Sequence, residues 1–475
     1  MEEMALGIAA LVEGATALCT TDLLTSTAPT FCAALCWEKF PSGDPNLKLR
    51  MSAVRDKHVI LLMNHDTMYL FEQLAVLLQL QRFNVPKAKA ELAKRKWKQL
   101  GPDDYETCSA KSVTVVTPWY RHCQMERTCR WTIKDDSRKW DNADPNGEFV
   151  DVPTAQSFAA MLSALPIPGT HPLPPQQLLL VDIHEYEDLE KTLLTTGRWS
   201  NRVKPYDFVH GTGTFFTSAF DRYLKSVLGP SITDVSSHYV VFPDAGAHRR
   251  FYTMVNDCIA LALDHILWIN KTRVGASITQ QTDLFYLDSS GAECKLEGSL
   301  PAKATVLIAD DFTNSGSTLF GGGEIVRAHA GAGTTVNAFV SHFVAKYDQA
   351  TVKKFVEKLY QEGCAIDGFT CTDSIPNVVQ WLKAEGDARV ASGQPAKAHV
   401  MPLAPLIADW IVANPGDHAH RRRRNSASNV FDDEEGAPAA GARAVPVAAV
   451  AGAVAGALVG AAAAACVVAL ALRKR

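Results

Sequence analysis

The sequence predicts an α/β fold with mostly parallel sheets, and three features support this prediction. Apolar runs of strand length recur at wide spacing along the chain, and helix-like stretches such as residues 70–83 and 251–267 lie between them. The runs are continuous rather than alternating, which is typical of strands that helices cover on both faces. Six such runs are present: residues 59–63, 113–116, 177–184, 239–246, 305–310 and 335–344.

The length of 475 residues exceeds one ordinary core, so the sequence predicts two folded domains, residues 1–165 and 166–413. The hydrophobic content of 47% is that of a globular protein, and the net charge of −4 argues against nucleic acid as a partner. Eleven cysteines without a CxxC pair, and an acidic first stretch where a secretory leader is basic, indicate a reducing compartment. We therefore expect the folded part to be cytosolic.

Two charged or polar segments read as insertions in this pattern. Residues 86–111 are charged, with Pro86 at a plausible helix start, and they predict a solvated helix. Residues 277–303 predict a hairpin or a loop, and the sequence assigns it no role.

The amino-acid composition of the chain changes near residue 414. Residues 414–443 have many charges and few large apolar side chains, which predicts a disordered linker. Residues 444–472 carry no charge, and at ~1.5 Å per residue a helix of this length would exceed a ~30 Å hydrocarbon core. The segment predicts a single transmembrane tail anchor on the cytoplasmic face of an intracellular membrane, and an alanine-rich low-complexity tail is the alternative.

Four arginines lie in the predicted linker, directly before residues 425–428. Together with Ser426 they fit a site for a basophilic kinase, and they also fit contact with anionic lipid headgroups. An ordinary solvated stretch is the third interpretation.

The stretch VLIADDFTNSGSTL, residues 306–319, predicts a strand, a turn and a helix start. Backbone N–H groups at the helix start and the hydroxyls of residues 315–318 would form an anion site suited to a phosphate. Asp310 and Asp311 would accept hydrogen bonds from vicinal hydroxyls, or hold a Mg²⁺ that does so. The pattern predicts a pentose 5-phosphate site, and the alternative is an ordinary turn with acidic capping residues.

The same stretch resembles the phosphoribosyl diphosphate (PRPP) motif that type I phosphoribosyltransferases share with ribose-phosphate diphosphokinases (PRPP synthetases). Four further stretches are similar to the synthetase family alone: its adenine loop, its D-L/I-H strand end, its P-D-x-G strand end and the start of its catalytic loop. They are CWEKFPSGDPNL (36–47), LLLVDIHEYEDLE (178–190), VVFPDAGAHRRF (240–251) and INKTRVG (269–275). Their order is that of the family, and details such as MERT (125–128) resemble its plant-type, phosphate-independent branch.

The resemblance implies two type I phosphoribosyltransferase-like domains, the second of which carries the ribose 5-phosphate loop. It implies transfer of a diphosphoryl group from MgATP to the C1 hydroxyl of ribose 5-phosphate, which gives PRPP and AMP for nucleotide biosynthesis. Mg²⁺ is the implied cofactor, and cations and positioning would supply most of the rate. A homo-oligomer of two or more subunits, or a hetero-oligomer with paralogues, is also implied.

The resemblance further assigns a role to each matched residue. Lys271 and Arg273 match the catalytic loop cations, and they would point to the same side of an extended segment. His184 and Asp244 match positions that hold Mg²⁺, although histidine is a poor ligand for this ion and could instead bind a phosphate or a metal-bound water. The other matches bind substrates: Asp310, Asp311, Asn314, Ser315, Gly316, Ser317 and Thr318 the ribose 5-phosphate, and Phe40, Asp44, Gln124, Glu126 and Arg127 the nucleotide.

The chain departs from the family pattern at two places. Asn314 replaces an aspartate of many synthetases, and Gln124 replaces an arginine, which removes one cation from the nucleotide site. Two alternatives therefore stay open. One is a non-catalytic paralogue that joins and anchors synthetase oligomers, against which Lys271 and Arg273 argue. The other is a phosphoribosyltransferase that uses PRPP, against which the adenine-loop and D-I-H matches argue.

Overall fold

The structure is a computed structural model that describes most of the chain up to residue 413. The described residues are 1–12, 35–42, 44–64, 70–81, 84–87, 99–107, 110–121, 129–134, 139–141, 146–164, 176–184, 213–232, 234–274 and 277–413. Within them, two sheets of parallel strands form the framework of the protein.

The N-terminal sheet has four parallel strands in the order β11-β10-β6-β3. The short strands pair in antiparallel fashion, β1 with β2, β4 with β5, and β7 with both β8 and β9. The strands are β1 (Leu35–Lys39), β2 (Pro45–Leu49), β3 (His58–Leu62), β4 (Asn84–Pro86), β5 (Tyr105–Thr107), β6 (Ser112–Thr117), β7 (Arg130–Lys134), β8 (Lys139–Asp141), β9 (Phe149–Val150), β10 (Gln176–Val181) and β11 (Gly213–Thr217), and the helices are α1 (Glu2–Leu11), α2 (Met51–Val54), α3 (Leu70–Gln81) and α4 (Thr154–Ala164).

The C-terminal sheet has eight strands in the order β15-β14-β13-β12-β16-β17-β18-β19. Six of them are parallel, and β14 and β15 add an antiparallel ribbon at one edge. Its strands are β12 (His238–Phe242), β13 (Ile266–Val274), β14 (Ser277–Leu287), β15 (Glu293–Lys295), β16 (Thr305–Thr313), β17 (Thr335–Phe343), β18 (Gly368–Thr372) and β19 (Ala398–Met401), and the helices are α5 (Ala219–Tyr223), α6 (Ala245–Ile259), α7 (Ser317–Ala328), α8 (Gln349–Leu359), α9 (Pro376–Ala391) and α10 (Ala404–Ala413).

The α/β class with mostly parallel sheets is confirmed, because each of the six predicted apolar runs contains or overlaps a parallel strand. The helix predicted at residues 70–83 is α3. The helix predicted at residues 251–267 is wrong in its second half, since α6 ends at Ile259 and residues from Ile266 onward form β13. The change of direction occurs at Ala260, which has a left-handed φ of 51° and donates its N–H to the Asn256 carbonyl.

Sheet membership differs from the domain boundary predicted at residue 165. Strands β10 and β11 lie beyond that boundary but pair in parallel with β6 of the N-terminal sheet. Leu179 and Val181 of β10 belong to a buried cluster with Ile60, Leu62 and Val116 of that sheet, and the division between the two sheets falls after Thr217.

The two predicted insertions have partly different structures. Pro86 is not a helix start but the last residue of β4, which pairs with β5, and residues 88–98 lie outside the described part. Residues 277–303 contain the predicted hairpin, because β14 turns at residues 288–292 and pairs with β15. The longer arm β14 also extends the main sheet through its pairing with β13.

The last described helix covers a face of the N-terminal sheet together with the first helix. Ile407 and Ile411 of α10 pack in one buried cluster with Met4 and Ile8 of α1 and with Leu62 of β3. The C-terminal part of the chain therefore completes the core of the N-terminal sheet.

No helix among the described residues is both long and apolar enough to cross a membrane. The predicted linker, residues 414–443, and the predicted anchor, residues 444–472, lie outside the described part of the chain.

His248 of α6 makes the stability of the fold depend on pH. Its ring is buried. The ring centroid lies 5.2 Å from that of Tyr252, on which it stacks, and 4.3 Å from that of Trp268. Burial lowers the pKa of His248 to about 4, and a hydrogen bond with the Ile266 backbone only partly opposes this. The unfolded chain binds a proton near pH 6.5 and the folded chain does not, so stability should fall as the pH drops from about 6.5 to about 4, by about 2 kcal/mol.

His248→Leu should flatten this pH dependence, because the variant lacks the titrating ring. The measurement is denaturant unfolding at several pH values between 4 and 7, with His399→Gln as a control for loss of an exposed histidine. An equal slope for wild type and His248→Leu would contradict the assignment.

Candidate functional site

The candidate site begins at the carboxyl ends of β12 and β16. The chain continues from β12 to β13 on one side and from β16 to β17 on the other, so the winding direction reverses between these strands. Such a reversal leaves a crevice at the strand ends, where open α/β sheets bind ligands. Asp244 directly follows β12, and Asp310 and Asp311 lie near the end of β16.

The N-terminal sheet reaches the same crevice through the end of β10. His184 lies 2.7 Å, from Nδ1, to Oδ2 of Asp311, although 127 residues separate them along the chain. The Nη1 group of Arg250 in α6 donates to the same oxygen at 2.8 Å, and its Nη2 group donates to the Ile183 carbonyl. One carboxylate thus joins β10, β16 and the helix that follows β12.

Asp311 is a buried, ionised carboxylate. Burial opposes its ionisation, but the hydrogen bond with His184 and the charge of Arg250 outweigh this and hold the pKa of Asp311 well below its usual range. Its Oδ1 accepts the Phe312 N–H at 2.9 Å, so both oxygens contact the protein. The contact of Asp311 with ribose hydroxyls stays a prediction, and of the two aspartates Asp310 is half-buried while Asp311 is buried.

A second junction between the sheets lies directly behind this contact. Asp182, at the end of β10, accepts hydrogen bonds at one oxygen from the Ala219 and Phe220 N–H groups, at 2.7 and 3.2 Å. The hydroxyl of Ser341 in β17 donates to that oxygen at 2.5 Å. Asp182 has a φ of 38° and is buried, so three donors hold it in a strained backbone conformation.

His342 supports the same junction from β17. Its Nε2 lies 3.2 and 3.1 Å from the carbonyl oxygens of Val181 and Asp182, and its Nδ1 lies 2.9 Å from the Ser374 hydroxyl. Burial lowers the pKa of His342 and outweighs the nearby aspartates. A neutral ring that donates from Nε2 and accepts at Nδ1 satisfies all of these contacts.

The end of β6 contacts the segment that follows β17. Trp119 donates from Nε1 to the Tyr347 hydroxyl at 2.6 Å, and its ring lies 4.5 Å from that of His342. The guanidinium carbon of Arg121 lies 4.0 Å from the Tyr347 ring centroid. Both sheets therefore contribute side chains around the crevice.

The predicted phosphate loop, residues 314–318, leads into the twelve-residue helix α7. Gly316 has a φ of 75°, and a Cβ there would lie 2.5 Å from the Phe355 ring, so glycine is required. Ser315 and Ser317 are exposed, with their hydroxyl oxygens 3.2 Å apart. Hydroxyls and helix N–H groups at one point can bind an anion.

Asp244 caps helix α6, because its Oδ1 accepts the Ala247 N–H at 2.9 Å. Among the described residues, no group of three or more histidine, cysteine or acidic side chains could hold a metal ion. Mg²⁺ commonly keeps several waters and binds one or two carboxylates together with substrate phosphates. The assignment of His184 and Asp244 as Mg²⁺ ligands stays a prediction.

The predicted catalytic cations lie on β13, next to β12. Lys271 and Arg273 pair with Gln280 and Ile278 of β14, so the backbone between them is extended as expected. Two residues apart on a strand, they belong to the same face. Their side chains lie outside the described part of the structure.

The predicted nucleotide-binding residues are only partly described. The Phe40 N–H donates to the Asp44 carbonyl at 2.8 Å and closes the turn between β1 and β2. Phe40 is 51% exposed and is therefore not a core aromatic residue. The described contacts do not join this turn to the His184–Asp311 contact, and Gln124, Glu126 and Arg127 lie outside the described residues.

Sequence reasoning assigned no role to Arg250. The signal was the pair of arginines in VVFPDAGAHRRF, but only the phase of α6 distinguishes Arg250 from Arg249. The sequence motifs assigned no role to Asp182 either, and its contact with Ser341, 159 residues away, had no signal in the sequence.

No family model matches the chain. It is 24% identical over 377 residues to ribose-phosphate pyrophosphokinase 4 of Arabidopsis thaliana, and this match covers 79% of this chain and 83% of that protein. It is 25% identical over 343 residues to the chloroplastic ribose-phosphate pyrophosphokinase 3 of the same plant, covering 71% of this chain and 62% of the relative. The chain therefore spans less than two thirds of the second relative.

A solved phosphoribosylpyrophosphate synthetase from Mycobacterium smegmatis is 16% identical, with a TM-score of 0.47; the match covers 86% of this chain and 94% of that one. The sequence similarities support the ribose-phosphate pyrophosphokinase resemblance that the motifs indicated.

Proposed function

We propose that this protein is a ribose-phosphate diphosphokinase of the plant-type branch. The observation that supports this most is the convergence of three motifs, since His184, Arg250 and Asp311 meet within hydrogen-bond distance. These residues come from the D-I-H, P-D-A-G and PRPP stretches, which have no reason to meet unless the family's cleft is preserved.

In this proposal, ribose 5-phosphate binds along β16 and its loop. The 5-phosphate accepts hydrogen bonds from the loop of residues 314–318 and the first N–H groups of α7. The carboxylate of Asp310 accepts hydrogen bonds from the vicinal ring hydroxyls. Asp311 acts indirectly, because it orients His184 and Arg250.

MgATP binds beside the sugar phosphate in the proposal. Lys271 and Arg273 would approach the β- and γ-phosphates from β13, and His184 and Asp244 would hold the Mg²⁺ or its waters. Phe40 stacks on the adenine and Asp44 borders the base, with Gln124, Glu126 and Arg127 along the triphosphate. Exposure of Phe40 at a hairpin tip fits a loop that serves a neighbouring subunit, so an oligomer of at least two subunits is part of the proposal.

The C1 hydroxyl oxygen attacks the β-phosphorus as the bond from this phosphorus to the AMP oxygen breaks. The hydroxyl proton passes to solvent water, the diphosphoryl group moves to the sugar, and AMP departs with the bridging oxygen. Negative charge grows on the transferred and leaving oxygens, so the cations of β13 and Mg²⁺ stabilise the transition state.

The proposal also includes the tail. Residues 444–472 would anchor the enzyme to an intracellular membrane, with the folded domains on its cytoplasmic face. Detergent-dependent extraction of the full chain from membranes, compared with a chain that ends at residue 443, tests this part separately.

The catalytic proposal is tested by incubating the full chain with MgATP and ribose 5-phosphate and measuring AMP and PRPP. We expect equal amounts of both products, and neither when ribose replaces ribose 5-phosphate or when EDTA removes the metal. Circular dichroism and a cooperative unfolding transition establish that the protein is folded. A folded protein that makes no AMP would contradict the proposal and favour the non-catalytic alternative.

A further inference from the structure

A pocket lies beside the phosphate loop (residues 314–318), on the side of helix α8. It measures about 360 Å³, and its wall includes Ser315 and Ser317 of the loop. The remaining lining consists of Phe320, Thr351, Phe355 and three lysines, Lys346, Lys354 and Lys358. The volume lies at the low end of the range for ligand pockets and exceeds that of a single phosphate group.

The three lysines reach the pocket from two directions. Lys354 and Lys358 are four residues apart on α8 and so belong to one face of the helix. Lys346 comes from the turn before α8. Cations gathered around one pocket repel each other unless an anion lies between them.

Nearby carboxylates offset only part of this charge. Glu324 Oε1 lies 4.0 Å from Lys358 Nζ, at the outer limit of an ion pair. Asp348 caps α8, and its Oδ2 accepts the Thr351 N–H and hydroxyl at 2.9 and 2.7 Å. Three lysines and two carboxylates leave an excess of positive charge, and the serine hydroxyls add neutral donors.

The turn that presents Lys346 is strained. Ala345, Lys346 and Tyr347 have φ values of 44°, 52° and 54°, a left-handed run that non-glycine residues rarely adopt. The Tyr347 hydroxyl holds this turn through its hydrogen bond with Trp119 of the N-terminal sheet. The hydrogen bond of Tyr347 with Trp119 thus helps to hold the backbone of Lys346 beside the pocket.

We propose that this pocket binds a chain of two or three phosphate groups, free or as the tail of a nucleotide. One phosphate contacts the hydroxyls of Ser315 and Ser317, and the next extends toward the ammonium groups of Lys354, Lys358 and Lys346. Because the serines belong to the loop proposed for the sugar 5-phosphate, the polyphosphate competes with ribose 5-phosphate; this last step rests on the proposed function.

The test measures binding of inorganic triphosphate to the full chain by isothermal titration calorimetry at low salt, without ATP or ribose 5-phosphate. The triple variant Lys346→Gln, Lys354→Gln, Lys358→Gln should bind about tenfold more weakly than wild type. Lys353→Gln is the matched control, because Lys353 lies on the same helix but does not line the pocket. All three substituted lysines are exposed, so the unfolding temperature should stay the same.

Equal affinity of the triple variant and wild type, or an equal loss in Lys353→Gln, would overturn the inference. Absence of triphosphate binding by the wild type would also overturn it. The same holds if Lys271→Ala abolishes binding while the triple variant keeps it, since the anion would then occupy the proposed nucleotide site. Titration with ADP distinguishes a free polyphosphate from a nucleotide as the ligand. Similar affinities for ADP and triphosphate indicate that only the phosphates are recognised. A protein that binds triphosphate but makes no AMP would refute the proposed function alone.

Discussion

Asp311→Asn is expected to lower AMP formation by about tenfold to a hundredfold, because the variant loses the anion that orients His184 and Arg250. Asparagine has the same shape, but its amide nitrogen is a donor and cannot accept from either partner. The free energy of unfolding should also fall, by about 3 kcal/mol, because a buried ion pair loses one of its members. Initial rates with MgATP and ribose 5-phosphate, and denaturant unfolding at pH 7, measure the two effects.

Asp367→Asn is the matched control for this prediction. Asp367 also pairs with an arginine, Arg327, at 2.6 Å and accepts the Val336 N–H at 2.7 Å, but it lies at the other end of β17 and β18. Its loss should reduce stability less and leave the rate of AMP formation unchanged. If Asp311→Asn and Asp367→Asn have the same activity, Asp311 has no role in positioning the site.

Asp182→Ala is expected to reduce the free energy of unfolding by about 3 kcal/mol, because the Ala219 and Phe220 N–H groups and the Ser341 hydroxyl lose their shared acceptor in a buried place. Activity should fall with it, since Asp182 lies two residues before His184. Asp182→Asn keeps one acceptor oxygen and tolerates a positive φ, so it should retain more of both.

Denaturant unfolding monitored by tryptophan fluorescence measures this effect, and Asp234→Ala is a suitable control. Asp234 also accepts a backbone N–H, that of Ser236 at 3.0 Å, but at the protein surface. Its loss should have a much smaller effect because water replaces the contact. A stability of Asp182→Ala close to that of wild type would show that Asp182 does not join the sheets.

The sequence predicted the strands whose apolar runs were long and missed the short or interrupted ones. Strands β18 and β19 contain mixed residues, GFTCT and AHVM, and become strands only because β17 offers an unpaired edge. β13 was missed because no glycine or proline separates its residues ILWIN from the amphipathic stretch before them, so the sequence shows no helix end there. The left-handed residue that separates α6 from this region is an alanine, which no turn rule identifies.

The edge of the sheet that carries the candidate site was predictable, but the side chains that join the two halves were not. Strand ends of parallel sheets meet at one edge, so His184, Asp244 and the two aspartates were expected there. Which of Asp310 and Asp311 faces inward depends on the pleat, and adjacent residues of a strand point to opposite faces. The sequence alone does not give that phase, nor the phase of α6 that brings Arg250 to Asp311.

The packing of α10 against α1 and the N-terminal sheet affects how the chain folds during its synthesis. The N-terminal sheet, which ends at Thr217, leaves the ribosome while Ile407 and Ile411 have not yet been translated, so one apolar face of this sheet is exposed to solvent. The nascent chain must stay soluble in this incomplete state until translation has passed residue 413. A premature stop codon before residue 404 would remove α10 and leave this apolar face uncovered, and quality-control proteases would recognise the exposed surface.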